Sequence, residues 1–296
     1  MKNRRLTARL PRFVQAWLPR RWREPPPVPE HLWRQTLARH RFLYTLAPNE
    51  QQRLRHLCRH FLVEKEFHGA HGLAISDTIA LAIAAQACLL LLHMGGVGQP
   101  RGRDPLQALD WYSDFVGIVV QPGAAVAQRE VTDAAGVVHR YREVLAGEAM
   151  DRGPIMLSWA SVNQTDTDTD GGGSASGHSV VIHEFVHKMD MRGIAMGQHP
   201  GGAPPLPRGF LGTHHEAEAR ARWQSAMQPA FEGFREAVTL AERFGAETPW
   251  LDGYGATNPA EFFAVTCEAY FVNRARFTAE FPALVVLYDG FFRPGH

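Results

Sequence analysis

The chain predicts an α+β fold, mostly helical with a small mixed β-sheet. Apolar residues recur at three- and four-residue steps over long stretches toward both ends, which is a helical signal. The middle instead holds short β-branched runs closed by Pro and Gly, which is a strand signal. With 45% of 296 residues hydrophobic, the chain can build one substantial core.

In chain order, residues 1–30 read as a basic arm and a Pro-rich linker. Lys2 and seven arginines precede the first acid, Glu24, and Pro25, Pro26, Pro27 and Pro29 then impose an extended spacer. The arm lacks the continuous apolar core and cleavage site of an export signal. It reads as solvated; the alternative is a surface helix touching a membrane or partner through Phe13, Val14, Trp17 and Leu18. Residues 31–296 are expected to form a single domain, with a helical part at 31–100 and a metal-binding part at 101–296.

One helix is expected across Trp33, Leu37, Leu43, Tyr44 and Leu46. A second opens at Asn49, carries Leu54, Leu57, Cys58, Phe61 and Leu62, and is ended by Gly69 and Gly72. A third runs from Asp77 to Gly95-Gly96. Its apolar stretch, Thr78–Leu92, is shorter than the roughly 20 residues of a membrane span and is interrupted by Gln86, so it reads as a buried core helix. Strands are expected at Phe115–Val120, Val137–Tyr141 and Ile155–Trp159. The last is a candidate sheet edge on which a peptide could pair, with an interior strand as the alternative. A polar loop follows to Gly177, then helix at 178–191, irregular chain at 197–212 and helix at 214–244. The last long helix opens at Asn258-Pro259 and reaches about Asn273.

A formal net charge of +1 argues against direct binding of nucleic acid by the whole molecule. Cys58, Cys88 and Cys267 are odd in number and widely spaced, which argues against a disulfide framework and a cysteine zinc site and fits a reducing compartment.

The strongest chemical signal is His183-Glu184-Phe185-Val186-His187. Residues four apart share a helix face, so both imidazoles can point at one metal ion, with Glu184 beside them as a general base. Val180, Val181, Ile182, Phe185, Val186 and Met189 supply an apolar face that anchors the helix in a core. A catalytic zinc site takes three protein ligands and leaves one position open, so one ligand lies elsewhere. Gly193 stands where a metzincin would carry its third histidine. The candidates are His199, His214, His215, Glu216, Glu218, Glu261 and Glu268. Glu261 is best placed, on the first turn of an apolar helix. Spacing alone leaves its role open, because Asn258-x-x-Glu261 is also a capping box. Asp190 stands one turn beyond His187 and reads equally as an acceptor for a ligand ring or as a helix-end acid. Glu268, two turns beyond Glu261, reads as a surface acid, with a place behind the metal ligands as the alternative. Asp166-x-Asp168-x-Asp170-Gly171 begins like a calcium loop, but Gly177 stands where the bidentate Glu belongs, which excludes an EF-hand.

The segments Phe61–Phe67, Trp111-Tyr112, Gly147–Pro154 leading into Leu157-Ser158-Trp159, Gly177-His178 leading into the histidine motif, and Tyr254 leading into Asn258–Val265 carry a resemblance. The chain resembles the Mlc titration factor A family of zinc peptidases, whose catalytic core is similar to that of anthrax lethal factor. The resemblance implies a zincin-like fold. It implies a gluzincin-like set of one zinc on His183, His187 and Glu261, with Glu184 catalytic and Tyr254 beside the metal as an oxyanion donor. An ordinary loop tyrosine is the competing reading of Tyr254. It further implies cytoplasmic, aminopeptidase-like hydrolysis of peptide or aminoacyl-amide bonds and binding to the glucose-responsive repressor Mlc. The alternative is a zinc-stabilised regulator-binding protein with incidental hydrolysis. The arm before Pro25, the acidic stretch 163–177 and the long segment 197–211 depart from the family pattern.

Overall fold

The computed structural model describes residues 25–294 apart from 103, 124, 133–137, 146, 151–152, 164–176, 196 and 198–200. The basic arm, the Asp166–Gly171 run and His199 lie outside the described residues. The helix expected across Trp33–Leu46 is two: α1 (Glu30–Arg39) and α2 (Arg41–Tyr44). His40 breaks them with extended backbone, φ −115° and ψ 98°. The break turns its ring into the core, where it meets the Gln86 amide at 3.4 Å. A tertiary contact here overrides local periodicity.

α3 (Pro48–Glu64) opens with Pro at its first turn and with Glu50 accepting the Ala47 N–H at 3.0 Å. It ends before Gly69, because Glu66–Gly69 is strand β1, pairing in parallel with β2 (Gly117–Gln121). Lys65 fixes the junction by donating to the Tyr112 and Phe115 carbonyls at 2.5 and 2.7 Å. α4 (Asp77–Leu90) is buried along almost its whole length, so its apolar run is core. Among the described residues, no helix is long and apolar enough to cross a membrane. A 3₁₀ turn at Pro105–Tyr112 then carries Trp111 and Tyr112 into the core.

β3 (Ala125–Thr132) and β4 (Val138–Leu145) form a separate antiparallel hairpin, of which only β4 was expected. β5 (Gly147–Ala149) and β6 (Ile155–Ser158) complete the main sheet, whose order is β1-β2-β6-β5. β6 pairs in parallel with β2 and antiparallel with β5. The expected edge strand is therefore interior. The edges are β1 and the three-residue β5, the latter too short to show a period of two.

After α5 (Trp159–Val162) come α6 (Val180–Ala195), α7 (Glu216–Phe244) and α8 (Pro259–Val272). Two shorter helices, α9 (Arg274–Glu280) and α10 (Pro282–Phe292), follow the last long one. They pack back on α8 through Tyr288, whose ring lies 5.9 Å from Phe263 and 5.5 Å from Tyr270. The architecture is thus α+β, mostly helical with a four-stranded mixed sheet. α6 lies at its centre: Phe185 is fully buried, with Tyr112 at 4.8 Å, Phe61 at 5.8 Å and Phe115 at 5.9 Å between ring centroids.

This cluster holds the motif helix against the N-terminal helices and the sheet. Phe185→Ala is therefore expected to lower unfolding stability by about 3–5 kcal/mol, the usual cost of emptying a buried aromatic site. Urea titration of the metal-free protein checks the value.

Candidate metal centre

α6 and α8 pack against each other and present His183, His187 and Glu261 to a common point. Each helix is placed by its start. Ser179 Oγ accepts the Ile182 N–H at 3.2 Å ahead of α6. Asn258 caps α8, with Oδ1 accepting the Ala260 and Glu261 N–H groups at 2.9 and 3.0 Å. The cap is real, yet Glu261 Oε2 lies on the two histidines. The distances His183 Nε2–His187 Nε2, His183 Nε2–Glu261 Oε2 and His187 Nε2–Glu261 Oε2 are each 3.1 Å.

Glu268 determines what these atoms are. Its Oε1 is 2.8 Å from His183 Nδ1, and an ionised carboxylate only accepts, so Nδ1 carries the ring proton. In the neutral ring, His183 Nε2 is then a lone pair, facing a second imidazole nitrogen and a carboxylate oxygen. Lone pairs this close repel unless a proton or a metal ion lies among them. Zinc bonds of about 2.0–2.2 Å in tetrahedral geometry separate neighbouring ligand atoms by about 3.3–3.4 Å, close to the triangle observed. Two imidazoles and one carboxylate are a donor set that zinc accepts. The three side chains keep 14%, 14% and 15% exposure, so one side of the triangle opens to solvent.

The local field agrees with this fit. Burial opposes charge on His183, yet the Glu261 and Glu268 carboxylates draw its pKa well above the ordinary imidazole value. Burial would raise Glu261, but the two imidazoles hold it down at about 2. The cluster thus favours a positive charge at its centre.

Glu184 is 4% exposed, and burial pushes its carboxyl up to about 7 against the pull of the two imidazoles. It lies under the edge strand. A Cβ at Gly147 would fall 2.6 Å from Glu184 Oε1 and 2.9 Å from its Cδ. Only glycine lets β5 come this close, a reading its position in a strand could have suggested. Tyr254, in a 3₁₀ turn at Gly253–Ala256, is 38% exposed, with its ring 6.4 Å from that of His183.

Asp190 is buried, and its oxygens accept the Gly202 and Ala203 N–H groups at 3.0 and 2.8 Å. It is not the solvated helix-end acid of one sequence reading. It ties α6 to a loop that abuts the start of α8: a Cβ at Gly202, φ +82°, would meet Pro259 at 2.8 Å. Lys188 is fully buried and donates to the carbonyls of Met150 and, at 2.8 Å, Gly153, which fixes the turn between β5 and β6. Glu268 corrects the surface-acid reading. It is 5% exposed and lies two turns beyond Glu261, on the same helix face. His214 and His215 instead open α7, where His215 Nδ1 accepts the Glu218 N–H at 3.2 Å.

The family model described as glucose-regulated metallo-peptidase M90 matches residues 14–293. Mlc titration factor A of Salmonella arizonae is 30% identical over 262 residues, 88% of this chain and 90% of that protein. The Escherichia fergusonii protein of the same name is 30% identical over 242 residues, 82% of this chain and 78% of its own. That of Klebsiella pneumoniae is 29% identical over 252 residues, 85% and 82% respectively.

Glu261→Ala removes one corner of the triangle. It is expected to weaken zinc binding by at least about a hundredfold, beyond the 10–100-fold typical of losing an outer partner. Competition against a chromogenic chelator measures the difference.

Proposed function

The chain belongs to the glucose-regulated metallo-peptidase M90 family, and on that premise we propose that it is a zinc-dependent, aminopeptidase-like enzyme of zincin-like, gluzincin-type fold that hydrolyses peptide or aminoacyl-amide bonds. The observation that carries the reading is the 3.1 Å triangle of His183 Nε2, His187 Nε2 and Glu261 Oε2. These three residues would hold the ion. When bound, zinc supplies a polarised substrate carbonyl and a water acidic enough to deprotonate near neutral pH.

The protein's own groups do the rest. Glu184 takes the proton of the attacking water and returns it to the leaving amine, a role suited to a carboxyl near 7. Burial that lifts Glu184 also keeps bulk water from competing for its proton. Tyr254, beside His183, offers its hydroxyl to the oxygen that gains charge as the carbonyl is attacked. Glu268 holds the His183 ring by its Nδ1 proton. β5 stands at one end of the strand order and lies directly over Glu184, which is where an extended peptide pairing as a further strand would meet the base.

A second reading is favoured by the relatives' name, Mlc titration factor A, which names Mlc as what they titrate. On it the chain binds an Mlc-like repressor and hydrolysis is incidental. A cytoplasmic location accords with either reading and with three buried, unpaired cysteines.

Glu184→Gln separates the two readings. It should keep zinc and lose about 10²–10⁴-fold in turnover of peptide p-nitroanilides, while repressor binding survives. Undiminished turnover in the zinc-loaded variant would refute the mechanism. Gly147→Ala is expected to displace the Glu184 carboxylate while leaving the ligand triangle in place. Turnover should fall by about a hundredfold, with zinc content near one per chain by atomic emission.

A further inference from the structure

α4 is apolar apart from one interior amide. Gln86 is 2% exposed and sits among Ala82, Ile83, Ala87 and Leu90. An apolar side chain of the same volume would fill this place without desolvating an amide. The amide is fully used. Gln86 Nε2 donates to the Ala82 carbonyl at 3.2 Å and faces His40 Nε2 at 3.4 Å. Burial, with the Arg39 charge alongside, holds the His40 imidazole down at about 4, so the ring is neutral and can accept. Gln86 Oε1 accepts the Ser179 Oγ–H at 2.7 Å. Having spent its only proton there, Ser179 Oγ is left to accept the Ile182 N–H ahead of α6. The Ser179 N–H donates to Glu268 Oε2 at 2.6 Å, and Glu268 Oε1 receives the Nδ1 proton of His183. An unbroken buried chain therefore runs from a candidate ligand, through Glu268, Ser179 and Gln86, to the break between α1 and α2. Ser179 joins its two halves covalently: the backbone N–H donates to Glu268 while the hydroxyl donates to Gln86 and so fixes where that backbone lies.

We propose that Gln86 and Ser179 are positioning residues of the metal centre. They hold Glu268 in the orientation that takes the Nδ1 proton of His183, and so keep the Nε2 lone pair aimed at the ion. The polar residue that interrupts the otherwise apolar α4 has this function. The proposal rests on the metal-centre reading above and assigns that centre a support in the N-terminal helical part of the chain.

The test measures zinc affinity by chelator competition, the visible spectrum of the cobalt-substituted protein, and the thermal midpoint of the metal-free protein. Gln86→Met keeps volume and removes both polar roles. It should weaken zinc binding about tenfold and alter the cobalt spectrum, as an outer-shell loss does. Ser179→Ala cuts the same link from the other side and should do likewise. Ser179→Thr keeps hydroxyl and backbone and should match the parent. Glu268→Gln serves as the direct reference, weaker by about 10–100-fold. Ile83→Val, a small cavity on the same helix, should lower the thermal midpoint and leave affinity and spectrum untouched.

Parental affinity and spectrum in both Gln86→Met and Ser179→Ala, with Glu268→Gln weakened, would overturn the proposal and leave the metal centre standing. Loss of affinity in Ile83→Val matching that in Gln86→Met would also overturn it, by showing that helix stability alone sets binding. If the parent takes up no zinc, the metal-centre reading itself fails and this proposal with it.

Discussion

Two helices distant in sequence bring three acceptor atoms to within 3.1 Å of one another, and the rest of the structure can be understood as what makes that approach tolerable. Lone pairs on two imidazole nitrogens and a carboxylate oxygen repel when stripped of solvent. A cation turns the repulsion into attraction, and the low dielectric around the cluster strengthens both. The surroundings hold α6 and α8 together so that the three atoms keep their places. They do so with the aromatic cluster at Phe185, and with the Asp190 carboxylate, which ties α6 to the Gly202 loop lying on Pro259.

The same constraint organises the polar interior. Buried titratable groups are costly unless they are hydrogen-bonded, and here each has a defined task. Asp190 sets the helix pair, Lys188 sets the turn behind the edge strand, and Glu268 sets a ring tautomer. Glu184 is the exception. It is buried beside the cluster with a raised pKa, under a strand that only glycine allows so near. A carboxyl that keeps its proton to about 7 is suited to exchanging protons with a substrate. Neighbouring acids are thus set apart by their partners: Asp190 and Glu268 are held by hydrogen bonds, and Glu184 is left with a raised pKa.

Much of this was legible in the chain itself. The pairing of His183 with His187, the place of Glu184 and the apolar opposite face follow from a period of 3.6, which needs no tertiary information. Long helices were read for the same reason: α4 from its apolar run, α8 from Asn258-Pro259. The shorter elements were not. β1 and β5 hold four and three residues, too few to show alternation, and they exist because a neighbouring strand pairs with them. The break at His40 is likewise set by what the ring meets.

The sequence by itself determined that two imidazoles and a base share one turn of a helix anchored in a core, because helical geometry is local. Only the tertiary structure decided which acid joins them, since the capping spacing of Glu261 is the same whether its carboxylate bonds the backbone or meets the histidines. The packing of α8 against α6 sends it to the histidines. Packing also turned Glu268 from a surface acid into the partner of His183, placed β6 inside the sheet with β5 at one edge, and gave Gln86 its reason to lie in an apolar helix. Each of these depends on atoms from segments far apart in the chain, which no periodicity encodes.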